Sequence, residues 1–245
     1  MRLMNDVRIR KMIAVITCIC FVFLCSGTAF ANEPMEIDDI SNISSYSILQ
    51  GDDYVIEQYT YEENGKQLEC TLRIMENEIV GVVYELRDMD KYLYDQFTIS
   101  RIDNGIYMND IQIADISDIT LDNTVMPMEV YAPTYSHGEV DFTAQITAAS
   151  MAASIYLAIA ATNPWIGVAS AVFLPAATWY LSNQMNTGYY QIRMQLETFP
   201  ENVPPEYTGA ITKVDYLYTL YKSAEMVSSN RAADPVSDVY YGMPY

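Results

Sequence analysis

The stretch FTAQITAASMAASIYLAIAATNPWIGVASAVFLPAATWYLSNQMNTGYYQI, residues 142–192, decides how this chain folds, because it contains no Asp, Glu, Lys, Arg or His. Residues 144–181 within it are mostly Ala, Ser, Thr and branched aliphatics. A helix that is apolar on every side has to be buried, either in protein or in lipid. This stretch is therefore expected to form the core of the fold or a membrane element.

The pattern predicts an apolar helical hairpin over 142–187, with helices at about 144–161 and 164–182 joined by a tight turn. Asn163 suits an N-cap, and Pro164 suits the first position of the second helix. At 1.5 Å per residue each helix is expected to be about 27 Å long, close to the hydrocarbon thickness of a bilayer. Pro175 falls inside the second helix and is expected to kink it.

Several side chains of this hairpin fit a membrane as well as a protein core. Ala148 and Ala152 place small residues four positions apart, a spacing that lets helices approach closely. Trp165 at the turn and Trp179 near the far end lie where an aromatic belt is expected. Ile155 falls in the middle of the first helix, so a charge there is the sharpest test. A hairpin that moves into a membrane, a structural core and a constitutive two-span anchor all stay open.

Residues 1–31 are predicted to be a secretory signal peptide. Basic residues open the chain, an apolar run follows over residues 12–24, and Ala29 and Ala31 offer a cleavage site before Asn32. Cleavage removes three of the four cysteines and leaves Cys70 alone. The secreted fold is therefore expected to have no internal disulfide, and Cys70 is expected to be a small core residue.

The chain is strongly acidic, with 13 Lys and Arg against 32 Asp and Glu and a net charge of −19. This excess opposes binding to nucleic acid and to anionic lipid. Residues 32–53 are predicted to be an acidic flexible leader or one loosely packed strand, because they are polar and rich in acids.

Residues 54–131 are predicted to be an acidic antiparallel β region of five to six short strands. Leu68, Cys70, Leu72 and Ile74 alternate with polar residues, the period of a half-buried strand. Asn64-Gly65 and Asp103-Asn104-Gly105 are hairpin-turn signals.

The remaining segments complete an α+β fold, in which an antiparallel β-meander precedes the Ala-rich hairpin and a short C-terminal element. Residues 132–141 are predicted to be a linker. Residues 188–227 are predicted to be a Tyr-rich β hairpin, although 210–227 also fit a helix. Residues 228–245 are predicted to be a loosely ordered tail.

The sequence shows no residue pattern typical of catalysis. His137 is the single histidine, so no Cys/His cluster can supply a zinc site. There is no Gly-x-Ser-x-Gly elbow, and the acids are too numerous for any pair to stand out. We therefore expect no catalytic residue, no metal site and no cofactor.

The signal peptide, the acidic strand-rich region, the Ala-rich apolar hairpin with an Asn-Pro break and the Tyr-Tyr strand together resemble the layout of geobacillin-type large secreted bacteriocins of Gram-positive bacteria. The resemblance is one of layout over residues 142–225, and it rests on Ala144–Leu181 and Tyr189-Tyr190. It implies a non-enzymatic antibacterial protein that acts on a target membrane or an envelope protein. The alternative is an extracellular or cell-envelope binding or structural protein with the hairpin as buried core or membrane anchor.

The signal-peptide interpretation predicts a secreted product that begins at Asn32. N-terminal sequencing of the protein from the culture medium checks this. A membrane-bound product that still carries residues 12–24 would contradict it.

Overall fold

A computed structural model of the chain describes residues 43–88, 90–116, 133–163, 166–198, 204 and 212–242. All of them belong to one compact unit, Glu36–Tyr245. They form two antiparallel sheets and two short α-helices, so the fold is mainly β. The predicted antiparallel β-sheet is confirmed, whereas the predicted signal peptide lies outside the described residues.

The first sheet is a seven-stranded meander in which each strand pairs antiparallel with the next. Its strands are β1 (Ile43–Gln50), β2 (Val55–Glu63), β3 (Lys66–Met75), β4 (Glu78–Arg87), β5 (Asp90–Ile102), β6 (Gly105–Met108) and β7 (Ile111–Asp115). Asn64-Gly65 joins β2 to β3 with φ values of 52° and 74°, as a two-residue hairpin turn requires. Within the predicted leader, residues 43–50 form the loosely packed edge strand.

The second sheet is a four-stranded meander. It contains β8 (Thr134–Asp141), β9 (Thr187–Thr198), β10 (Thr212–Tyr221) and β11 (Val236–Gly242), in that order. Residues 212–221, which also fitted a helix, form a strand that pairs with β9.

Two predictions about this sheet are wrong. Residues 134–141, predicted as a linker, form β8, because β9 supplies a pairing partner along their whole length. Within β8, Gly138 leaves the space that the Tyr190 ring occupies. A Cβ at Gly138 would lie 2.5 Å from the Tyr190 hydroxyl oxygen. In the predicted tail, residues 236–242 form β11, because the edge of β10 supplies a partner for their backbone.

The helical segment differs from the predicted hairpin of two long helices. α1 covers Ala148–Thr162, a 3₁₀ helix covers Ser170–Phe173, and α2 covers Leu174–Ser182. With 15 and 9 residues, the two α-helices are about 22 and 14 Å long instead of about 27 Å each. Within the described residues, the structure contains no helix with the length and apolarity that a membrane span requires.

The residues predicted to punctuate this hairpin have other roles. Asn163 is the C-cap of α1 and not an N-cap, since its N–H donates to the Ile159 carbonyl at 2.8 Å. Pro175 lies in the first turn of α2 and does not kink it, because a proline there replaces no intrahelical hydrogen bond. Gly167, which lies within the predicted second helix, donates its N–H to Asp238 of β11. Pro164 and Trp165 lie outside the described residues.

The helical segment leaves the second sheet and returns to it at one point. Asp141 at the end of β8 is paired with Thr187 at the start of β9. The next residue, Phe142, donates its N–H to the Asn186 carbonyl at 2.7 Å. Residues 142–186 therefore form an insertion between β8 and β9, and the strand pairing of both sheets is complete without them.

The helical segment lies between both sheets. Every residue of α1 from Ala148 to Ile155 is buried, and α1 contacts β4, β5 and β6 of the first sheet and β8 of the second. Its Ala148, Ala152 and Ile155 side chains are at most 1% exposed. Trp179 of α2 is half-buried, with its ring against Tyr180 and the Lys222 ammonium over its face. The charge-free helices thus form the middle of the core.

The close packing around α1 predicts that Ala152→Leu lowers the free energy of unfolding by about 1–3 kcal/mol, because the extra volume has no space to enter. The matched change Ala161→Leu, at a partly exposed position of the same helix, is expected to cost less. Urea denaturation of both variants measures the difference. Equal losses would contradict the tight packing at Ala152.

Candidate functional site

The inner face of β2 carries an unusual set of buried side chains. Glu57, Tyr59, Tyr61 and Glu63 occupy alternate positions and are all at most 4% exposed. Alternate residues of a strand project from one face, so all four project toward the helical segment. The strand therefore presents a carboxylate at each end of a tyrosine pair whose ring centroids lie 5.8 Å apart.

Glu57 holds the start of the 3₁₀ helix that leads into α2. Its two oxygens accept hydrogen bonds from the Ser170 backbone N–H at 3.0 and 3.1 Å, and Oε2 also accepts from the Ser170 hydroxyl at 2.6 Å. Free N–H groups and the helix dipole make a helix N-terminus favourable for a carboxylate. Glu57 thus fixes this end of the helical segment to the first sheet.

Two further carboxylates hold the N-terminus of α1. Glu63 Oε2 accepts from the Ala148 N–H at 2.7 Å, and Asp95 Oδ2 of β5 accepts from the Thr147 hydroxyl at 3.0 Å. α1 also has its own capping box, in which Thr147 Oγ1 accepts from the Ser150 N–H and Ser150 Oγ accepts from the Thr147 N–H. We call Glu57, Glu63 and Asp95 the clamp carboxylates.

Burial dominates the electrostatics of the clamp carboxylates. Removal from water raises the pKa of each one above its ordinary value, although the hydrogen bonds from Ser170, Ala148 and Thr147 act in the opposite direction. The nearby Asp95 charge raises the pKa of Glu63 further, whereas Lys66 lowers it. Ionised clamp carboxylates are therefore held in the interior at a cost in stability.

The tyrosine pair borders a buried thiol of the first sheet. Cys70 lies on the inner face of β3 opposite Tyr59 and is fully buried. Burial raises its pKa well above the ordinary value, which keeps the thiol protonated and unreactive. The prediction that Cys70 is a small core residue is confirmed.

On its other side the helical segment contacts the second sheet through neutral groups and one acid. The Asn163 side-chain amide donates to the Tyr218 hydroxyl at 2.8 Å, and the Tyr180 hydroxyl donates to the Tyr221 carbonyl at 2.7 Å. Asp238 Oδ2 accepts from the Gly167 N–H at 2.7 Å. Like the clamp carboxylates, this acid belongs to a strand and not to the helical segment.

This arrangement holds the helical segment in place against both sheets. The described residues contain no group of three or more His, Cys, Asp or Glu side chains placed to bind a metal ion. The clamp carboxylates are engaged with helix termini, and His137 lies exposed on β8, which keeps it apart from them.

Of the residues that the sequence singled out, the structure brings Ala148 directly to the clamp and Asn163 to the second sheet. Ala152, Ile155, Pro175 and Trp179 lie elsewhere in the helical segment. Sequence reasoning missed the clamp carboxylates, because the acids of the chain are too numerous for any pair to stand out. The signal available was the alternation from Glu57 to Glu63, which places both acids on the face of two tyrosines.

Comparison with known proteins gives no match. No family model matches the sequence, and no curated protein or solved structure is significantly similar to it. Fold and site therefore define the class, a mainly antiparallel β protein with an enclosed, clamped helical segment.

The pKa directions predict how stability depends on pH. The folded pKa of each clamp carboxylate lies above its unfolded value, so the folded state binds more protons and stability falls as pH rises from about 4 through the raised pKa. Glu57→Gln should make this fall shallower, since it removes one such group. Glu85→Gln removes a carboxyl whose pKa Arg87 lowers, and this group changes stability only below its ordinary pKa of 4.5, so the fall above that pH should keep its slope. Urea denaturation across pH measures both slopes, and the same change in both would contradict the argument.

Proposed function

We propose that this chain is a secreted, non-enzymatic, bacteriocin-like protein whose charge-free helical segment is stored between two sheets and enters a target membrane when the fold opens. The observation that carries the proposal is that residues 142–186 leave and re-enter the second sheet at one point. Such a segment can move out while the strand pairing of both sheets persists.

The distribution of charge supports storage of the segment. Glu57, Glu63, Asp95 and Asp238 all remain with the sheets when the segment leaves, and residues 142–192 carry no acid or base of their own. A charged side chain is costly at the centre of a bilayer, and its absence removes that cost.

The backbone hydrogen bonds of α1 suit both the protein interior and a lipid bilayer. An unsatisfied N–H group is costly in lipid, and a helix satisfies most of its own backbone groups. The Thr147–Ser150 capping box serves two of the terminal N–H groups without help from the sheet. α1 therefore keeps this cap after Glu63 is removed from the Ala148 N–H.

Acid does not favour release through the clamp. Because the folded pKa of each clamp carboxylate is raised, protonation stabilises the closed fold. Opening is therefore assigned to contact with the target surface. The net charge of −19 opposes anionic lipid, so entry into a bilayer is best tested on neutral zwitterionic vesicles, where this repulsion is absent.

A second candidate is an extracellular or cell-envelope binding protein in which the helices are a permanent core. The neutral hydrogen bonds from Asn163 to Tyr218 and from Tyr180 to Tyr221 favour it, because exit of the segment breaks both.

Dye-loaded phosphatidylcholine vesicles distinguish the two candidates when leakage is measured together with maleimide labelling of Cys70. Storage and release predict that the secreted wild-type protein causes leakage and that buried Cys70 is labelled only when vesicles are present. Mass spectrometry of the peptide that contains Cys70 quantifies the labelling. Intact vesicles together with a protected Cys70 would establish the permanent core instead.

Two lysine variants then test which part of the molecule enters the membrane. Ile155→Lys puts an ammonium mid-helix, at about 2.5–3.5 kcal/mol in a bilayer centre, and should abolish leakage. Ile102→Lys adds the same charge at an exposed position of β5 and should leave leakage unchanged. Protection of Cys70 in solution verifies that each variant is folded. If Ile155→Lys exposes Cys70 in solution, that variant is misfolded. The wild-type leakage and labelling results then distinguish the two candidates without it.

A further inference from the structure

Among the described residues no strand pairs with the outer edge of β1, and this edge differs from the other three sheet edges. The two sheets end in β1, β7, β8 and β11. β7 carries Asp115, β8 carries Glu139 and Asp141, and β11 carries Asp238, whereas β1 reads ISSYSILQ and carries no charge. Proteins commonly protect edge strands with charged side chains or proline, because an open edge pairs with other strands. β1 has neither protection.

The side chains of β1 are also unusually open for an edge strand of eight residues. Leu49 is 62% exposed and Ile48 is 44% exposed, on opposite faces of the strand. Ser44, Ser45 and Ser47 are exposed as well. Apolar and small side chains on both faces can contact a neighbouring strand without steric or electrostatic cost.

Both ends of this neutral edge are acidic. Asp52 and Asp53 follow the strand and are exposed, and exposed Glu62 lies on the neighbouring β2 beyond the Ile43–Tyr61 pair. In the sequence, acidic residues also precede Ile43. Pairing with a second copy of β1 brings acidic ends together in either strand direction, which charge repulsion opposes.

We propose that β1 binds an extended segment of another protein by strand addition, and that this segment has an uncharged centre flanked by basic residues. Backbone hydrogen bonds along β1 supply affinity, and the acidic ends select basic flanks. The inference does not depend on release of the helical segment, because β1 lies in the first sheet.

Three short peptides test the proposal with the full secreted protein. The first has an alternating threonine–valine centre and two lysines at each end, the second has glutamates at the ends, and the third keeps the lysines but has prolines in the centre. The first peptide should bind at least about tenfold more tightly than either other peptide. Hydrogen exchange should show protection of amides 43–50 and not of amides 111–115.

Two lysine variants locate the site. Leu49→Lys should weaken binding of the first peptide by about tenfold or more, because it places a like charge on the edge. Ile111→Lys, on the opposite edge of the same sheet and 54% exposed, should change binding by less than about twofold. Both positions are exposed, so both variants should fold.

Several results would overturn the proposal. Equal binding of the proline peptide would show simple charge attraction, and protection outside residues 43–50 would place the site elsewhere. No binding of the first peptide would also refute it. A wild-type dimer in sedimentation that Leu49→Lys dissociates would show that a second copy occupies the edge.

Discussion

The structure depends on the requirement to bury, on all sides, a segment that has no charged side chain. One sheet can cover only one side of a helix, and α1 has consecutive buried residues from Ala148 to Ile155. The chain meets this requirement with two meanders. The strands of the first sheet all precede the segment, whereas in the second sheet β8 precedes it and β9, β10 and β11 follow it. The acidic side chains lie outside residues 142–192, on the strands and their connections, so the charge of the molecule and its apolar segment are separated along the chain.

Enclosure creates a second constraint, since helix ends inside a core still need hydrogen-bond partners. The sheets provide carboxylates as these partners. Glu57 accepts from the Ser170 N–H, and Glu63 accepts from the Ala148 N–H. Burial raises the pKa of these carboxylates, so the contacts that position the helices also limit stability at neutral pH. A charge-free segment held by charged groups on its surroundings is compatible with a stored membrane element and with a permanent core. The two proposals differ in whether the clamp opens at a lipid surface.

Sequence reasoning succeeded where the structure is decided locally and failed where a distant partner decides it. Asn64-Gly65 specifies a tight hairpin through its own φ preferences, and it forms one. Residues 236–242 look unstructured alone and become a strand because β10 offers an edge. Likewise, the second helix begins at Leu174 and not at about residue 164, since the chain before it is engaged by Asp238 and Glu57.

The sequence by itself determined that the apolar helices within residues 142–192 must be buried, that acids lie outside this stretch and that antiparallel strands precede it, because these properties follow from composition and short-range periodicity. Only the tertiary structure decided which acids face inward. Glu57, Glu63 and Asp95 are separated from Ser170, Ala148 and Thr147 by 113, 85 and 52 positions, respectively. Contacts over such separations depend on the stacking of sheet and helices, which leaves no local pattern in the chain.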